Sequence, residues 1–194
     1  MRQRQQTGWS FGKIGREEEE TFSAVDKLIL KAASTDTQPG EEELGNIVTH
    51  VAEVGFDPTG RERAGGRLVG VFWRGRRLTA SDLLLPAEVH FLRHPIAQAE
   101  WPSATSLERY LASLREVVED PRSGLLVSRY HRQVWQLAVV RRSFELRGPG
   151  GGDWVVVEYR LEFGYWVTAF QPYAGLNYFE SPQREQQRWL RRPV

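Results

Sequence analysis

"QVWQLAVVRRSFELRGPGGGDWVVVEYRLEFGYWVTAFQP", residues 133–172, decides the fold. The runs "QVWQLAVVRRSFEL" and "DWVVVEYRLE" are rich in β-branched and aromatic residues, which suit a pleated, packed surface, and the glycine-rich "RGPGGG" between them reads as a turn. "YWVTAFQP" follows at once as a further strand, and "LLVSRY", residues 125–130, precedes the group. Four strands in succession with short connections predict an antiparallel meander.

Upstream the hydrophobic period changes. "RLVGVFW" and "RRLTA" predict a hairpin with Arg74 and Gly75 near its turn. "LLLPAEVHFLRHP" predicts a short helix, with Pro86 tolerated in its first turn and Pro95 ending it. In the next helix Leu107, Tyr110, Leu111, Leu114, Val117 and Val118 share one face, and Thr105 with Glu108 forms a capping box. Nearer the N-terminus, Phe22, Val25, Leu28, Ile29 and Ala32 recur at helical spacing, behind the glutamates of residues 17–20, which suit the positive end of a helix dipole. A further helix runs from Glu41 to Val54 and stops at Gly55. The tail "SPQREQQRWLRRPV" reads as a capped segment, from Ser181, with a cationic face. The expected class is α+β: N-terminal helices followed by a central antiparallel sheet of about four to six strands.

The 194 residues suffice for one well-packed domain, 40% being hydrophobic and 26% charged. The net charge of +1 hides an asymmetry: residues 1–57 hold six Lys or Arg against eleven Asp or Glu, and residues 58–194 hold twenty against fourteen. Residues 1–60 are therefore expected to form an acidic helical layer and residues 61–194 a basic α+β domain, together one compact unit. A basic body suits a polyanion, and an acidic layer suits masking it or contacting another protein. Only three of the 26 cations are lysines; arginine fits phosphate recognition, as it also fits a coding bias. No apolar run nears the roughly 20 residues that span a bilayer, and "MRQRQQTGWSFGK" lacks a secretory apolar core, so no membrane partner and a cytoplasmic location are expected. With no cysteine, thiolate metal sites and cysteine nucleophiles are excluded.

His90 and His94, four apart on a helix, share a face. That is zinc-ligand spacing, yet Phe91 stands where a metalloprotease places glutamate and no third ligand is evident, so no metal site is assigned. Each histidine also fits a packed, hydrogen-bonded role, while His94 at a helix end suits projection into a cleft and proton transfer near neutral pH. In "SRYHRQ", strand alternation sends Arg129 and His131 to one face, with Arg132 close by. Trp166, Phe170 and Tyr173 supply aromatic surface for unpaired bases, and even spacing puts Trp166 and Phe170 on the face of Thr168. Core packing explains the same aromatics, and threonine is an ordinary strand residue.

The order of "EVHFLRHP", "SRYHRQVWQLAVV" and "YWVTAFQP" resembles the barnase/EndoU/colicin/RelE-like ribonucleases, especially the toxin domains of phages and bacterial conflict systems. The likeness spans about residues 78–173. It implies a metal-independent endoribonuclease toxin that needs no cofactor, acts on RNA through the 2′-hydroxyl to give a 2′,3′-cyclic phosphate, and has an immunity or antitoxin protein as partner. Its implied roles fall on His94 as acid or base, Arg129 as phosphate-binding cation and Thr168 as the hydroxyl that steadies the phosphate. His90 for His94 and Arg132 for Arg129 fit the same pattern; His131, Arg132, Trp166, Phe170 and Tyr173 would bind substrate. The long glycine turn and the acidic N-terminal layer depart from that pattern. The alternative is a non-catalytic RNA- or protein-binding module, or a phage structural protein, using the same basic and aromatic surface for contact alone; a metal-dependent hydrolase built on His90 and His94 is a third class. Convergence of His94, Arg129 and Thr168 in one site separates the first two.

Overall fold

The computed structural model describes residues 22–35 and 38–194. The expectation placed on glutamates 17–20 lies outside these residues.

Two helices open the described chain. Helix α1, Ala24–Ser34, is capped by Ser23, whose hydroxyl accepts from the Asp26 amide while Asp26 reaches back to the Ser23 amide. Helix α2, Glu41–Val54, ends at Gly55, where φ is +61° and a side chain would be strained. Short strand pairs follow. β1, Glu62–Arg63, pairs with β4, Leu83–Leu84, while β2, Phe72–Trp73, and β3, Arg76–Arg77, make the predicted hairpin in shortened form. Arg74 and Gly75 both have positive φ at its two-residue turn, the conformation that follows the twist of the flanking strands.

Helix α3, Pro86–Phe91, has Pro86 in its first turn as predicted. It does not stop at Pro95. A π-helical turn, Leu92–Ala97, carries the chain past the proline, and the Gln98 amide reaches back to the Arg93 carbonyl at 3.0 Å. The wider turn accommodates a residue that has no N–H to give. Helix α4, Leu107–Glu119, is capped by Ser106, whose hydroxyl accepts from the Arg109 amide at 3.1 Å, and not by the predicted box from Thr105.

The main sheet contains β5 (Gly124–Tyr130), β6 (Val134–Arg142), β7 (Trp154–Arg160), β8 (Tyr165–Phe170) and β9 (Arg184–Arg191), all antiparallel, in the order β8-β7-β6-β5-β9. The α+β expectation holds, with five strands. The tail expectation changes: residues from Arg184 pair with β5 as an edge strand, and Ser181 caps no helix. Its glutamine- and arginine-rich sequence has little apolar period, and pairing with β5 decides its conformation.

One face of the sheet packs on α1, α2 and α4 through Leu125, Val127, Leu137, Val139, Val155, Val157 and Tyr159, joined by Ile29, Ile47, Val51, Leu114 and Val117. Helices α1 and α2 thus belong to the same core as the sheet, and removing them would strip it. The second face carries Leu126, Ala138, Val140, Val156 and Phe179, flanked by Phe170, Tyr178 and Trp189. Because both faces are covered, the central strands read as nearly unbroken apolar runs. Among the described residues no helix is long and apolar enough to cross a membrane.

Candidate functional site

The outer edge of β8 is where the chemistry-bearing residues gather. Phe56, just after α2, forms a parallel bridge to Trp166, and the Trp166 amide donates to the Gly55 carbonyl at 2.7 Å. Helix α3 packs against the same strand. This seats His90 with its ring stacked on Phe56, centroids 5.1 Å apart. One turn on, His94 lies parallel to His90 within 2°, at 5.9 Å, and tilts against Phe170 at the same separation.

Thr168 Oγ1 lies 3.4 Å from His90 Nδ1. Burial, then the charges of His94 and Arg93, hold the His90 imidazole down to about 3, against the bond to the Val167 backbone that favours its proton. At neutral pH His90 is therefore an uncharged ring. His94 is set differently: its Nδ1 is 3.0 Å from Glu100 Oε1, and the second Glu100 oxygen accepts from the Gln171 amide at 2.7 Å. Among the described residues Nε2 of His94 has no hydrogen-bond partner.

Glu100 owes its place to the glycine turn. The Gly148 and Gly150 amides donate to the Glu100 and Ala99 carbonyls at 2.7 and 2.9 Å. A Cβ on Gly148 would collide with the carbonyls of Ala99 and Trp101, and one on Gly150 with that of Gln98. "RGPGGG" is thus a close backbone approach that fixes the carboxylate behind His94. Nothing in the spacing of Glu100 from His94 announces this pairing, because the π-helical turn between them creates it.

A second polar cluster adjoins Thr168 across the strand. Glu158 is the register partner of Thr168 and points to the second face, where Arg184 of β9 forms a close ion pair with it. Arg184 Nη2 also donates to the Tyr178 hydroxyl at 3.1 Å, and the guanidinium lies over the rings of Tyr130, Tyr178 and Phe179. Burial pushes the Glu158 carboxyl up even with Arg184 against it. Neither residue belongs to a motif; the signal that the sequence carries is the lone charge in "VVVEY", since a charge in an apolar strand needs a buried partner.

The predicted residues therefore divide. His90, His94, Thr168 and Phe170 come together. Arg129 does not join them: it shares the helix-side face with Val127, lies over Trp135 and is three strands from β8, about 14 Å at the usual strand spacing. His131 and Arg132 occupy the β5–β6 turn with φ of +50° and +60°, so strand alternation does not apply to His131; Arg132 pairs with Glu185 at 2.8 Å. Trp166 is on the helix side, because a register shift between Glu158 and Tyr159 breaks the alternation that was to align it with Thr168. Tyr173 is 90% exposed, beyond the end of β8.

No family model, curated protein or solved structure matches this chain. Among the described residues no group of three or more His, Asp or Glu side chains has the arrangement of a metal site.

Proposed function

We propose that the chain is a metal-independent endoribonuclease of the toxin type. The supporting observation is the His94–Glu100 pair, whose imidazole stacks on the His90 ring that Thr168 touches: a buried carboxylate fixes one imidazole nitrogen, leaving the other directed away from its protein partner. In this reading a base takes the proton of a 2′-hydroxyl, O2′ attacks phosphorus, the bond from phosphorus to the 5′-oxygen breaks, and that oxygen gains a proton. The product end is a 2′,3′-cyclic phosphate. Nε2 of His94 moves the proton, and the Thr168 hydroxyl, resting on neutral His90, steadies a phosphate oxygen. Arg93, whose charge reaches His90, takes the cationic role that sequence resemblance placed on Arg129. An immunity or antitoxin protein is the partner such an enzyme requires.

A second reading, a non-catalytic RNA- or protein-binding module, is favoured by burial, His90 being 5% and His94 8% exposed, and by Arg129, which does not converge with His94 and Thr168. Cleavage of total RNA by purified protein in excess EDTA separates the two. The expected result is cyclic-phosphate ends, with His94→Ala reducing the rate by roughly 100-fold or more. Thr168→Val, at a partly exposed position and of similar shape, provides a folded control variant that should also lose activity. Folded protein that binds RNA without cleaving it would transfer the conclusion to the second reading.

A further inference from the structure

We infer that the β2–β3 hairpin and the segment leading into it form a docking surface for single-stranded RNA. The inference rests on the reading of RNA as substrate and assigns the part of the molecule that holds it. Residues 61–77 contain six arginines and one acidic residue, Glu62, in a chain whose net charge is only +1. Arg74 and Arg76 are tied to Glu88 and Asp82, at 2.6 and 2.5 Å. Among the described residues Arg63, Arg67 and Arg77 have no such carboxylate within ion-pair distance and are exposed, so their charge is available to phosphates.

The same surface displays apolar groups that a free cationic loop does not need. Phe72 is 66% exposed and Val69 51%. An accessible phenyl ring among guanidinium groups is the combination that takes an unpaired base by stacking and the adjoining backbone by charge.

The hairpin is also held where a bound strand would run to His94. Trp73 Nε1 donates to Glu88 Oε1 at 3.2 Å and its ring packs on Phe91, which anchors the hairpin on α3, the helix of His90. Next to it, the 3-10 turn Gly66–Leu68 packs on the π-helical turn that carries His94. With its amide nitrogen toward Glu100 at 2.5 Å, Gln98 offers its oxygen to Arg67 at 3.0 Å. Arg67 thus stands one residue's reach from the carboxylate that orients His94.

The test uses the whole chain and a labelled 2′-O-methyl RNA of about 12 nucleotides, within the length one such surface covers. This probe lacks the attacking hydroxyl, so binding is read apart from cleavage, by fluorescence anisotropy over a range of salt. Phe72→Ala is expected to weaken binding roughly 5- to 100-fold, as loss of one stacked base does. Arg67→Ala with Arg77→Ala should lower the slope of log affinity against log salt by about 0.7 for each phosphate that is no longer neutralised. These side chains are exposed, so the variants should keep the fold, which a thermal melt verifies. Variants that bind like the parent would overturn the inference, and so would a parent chain with no affinity for the probe, the result expected if the surface meets an acidic protein instead. Binding that depends on the hairpin, in a parent that leaves unmodified RNA intact, would uphold the surface and remove the ribonuclease reading.

Discussion

Glu100 and Glu158 are both buried carboxylates near β8, each beside a basic side chain, and they leave their partners in opposite states. Arg184 is used up: Glu158, the Tyr178 hydroxyl and three aromatic rings surround it. His94 gives one nitrogen to Glu100 and keeps the other without a partner among the described residues. A guanidinium held by a carboxylate, a hydroxyl and three rings is suited to holding strands together. A half-engaged imidazole can exchange a proton, and the difference between the two clusters is the physical basis for placing chemistry at one and stability at the other.

The largest effect that would sharpen this contrast is expected at Glu158→Ala. It leaves Arg184 buried without its counter-charge and should lower unfolding free energy by about 3–5 kcal/mol in urea titration, whereas replacing the pair together, Glu158→Leu with Arg184→Met, should recover most of that. If the single variant is nearly neutral, the second cluster is not the structural one.

An intermediate effect follows from His90. Its imidazole titrates near 3 in the fold and near 6.5 when unfolded, so the unfolded chain binds the additional proton as pH falls between those values. This group's stabilising contribution is complete above pH 6.5 and is lost toward pH 3, by up to about 1.4 kcal/mol per pH unit. Urea midpoints at pH 7 and pH 5 should differ more in the parent than in His90→Phe, which keeps an aromatic ring on Phe56 but cannot titrate.

The smallest effect is expected at Arg129→Ala. Since Arg129 faces the helices three strands from Thr168, RNA cleavage should change by no more than a factor of about two, the size of an ordinary peripheral substitution. A loss comparable to that of His94→Ala would break the proposed site.

The strands and helices were legible because their signals are local. Alternation, Gly55 and Pro86 act within a few residues, and α2 falls where its sequence predicts it. The site was legible only in part, since His90 and His94 share a helical face by spacing, but Glu100 reaches His94 through a π-helical turn and a glycine seat from a distant loop. Arg184 was hidden for a related reason: strand β9 has no strong apolar period, and its conformation comes from pairing with β5. Trp166 was misplaced by one register shift, enough to exchange the faces of a strand.

The two margins of the sheet are finished by different means. At β8, Phe56 and α3 cover the strand. At β9, helix α1 lies alongside and Gln38 donates to the Trp189 carbonyl, and the strand itself adds register shifts against β5, a positive φ at Gln186 and the charged side chains of Glu185 and Arg188. Kinks and charge are the features that keep an unpaired ladder from recruiting a strand of another molecule. An arriving strand would meet a helix at either margin and, at β9, an irregular, charged strand as well, so the polar tail also serves as a guard against edge-to-edge aggregation.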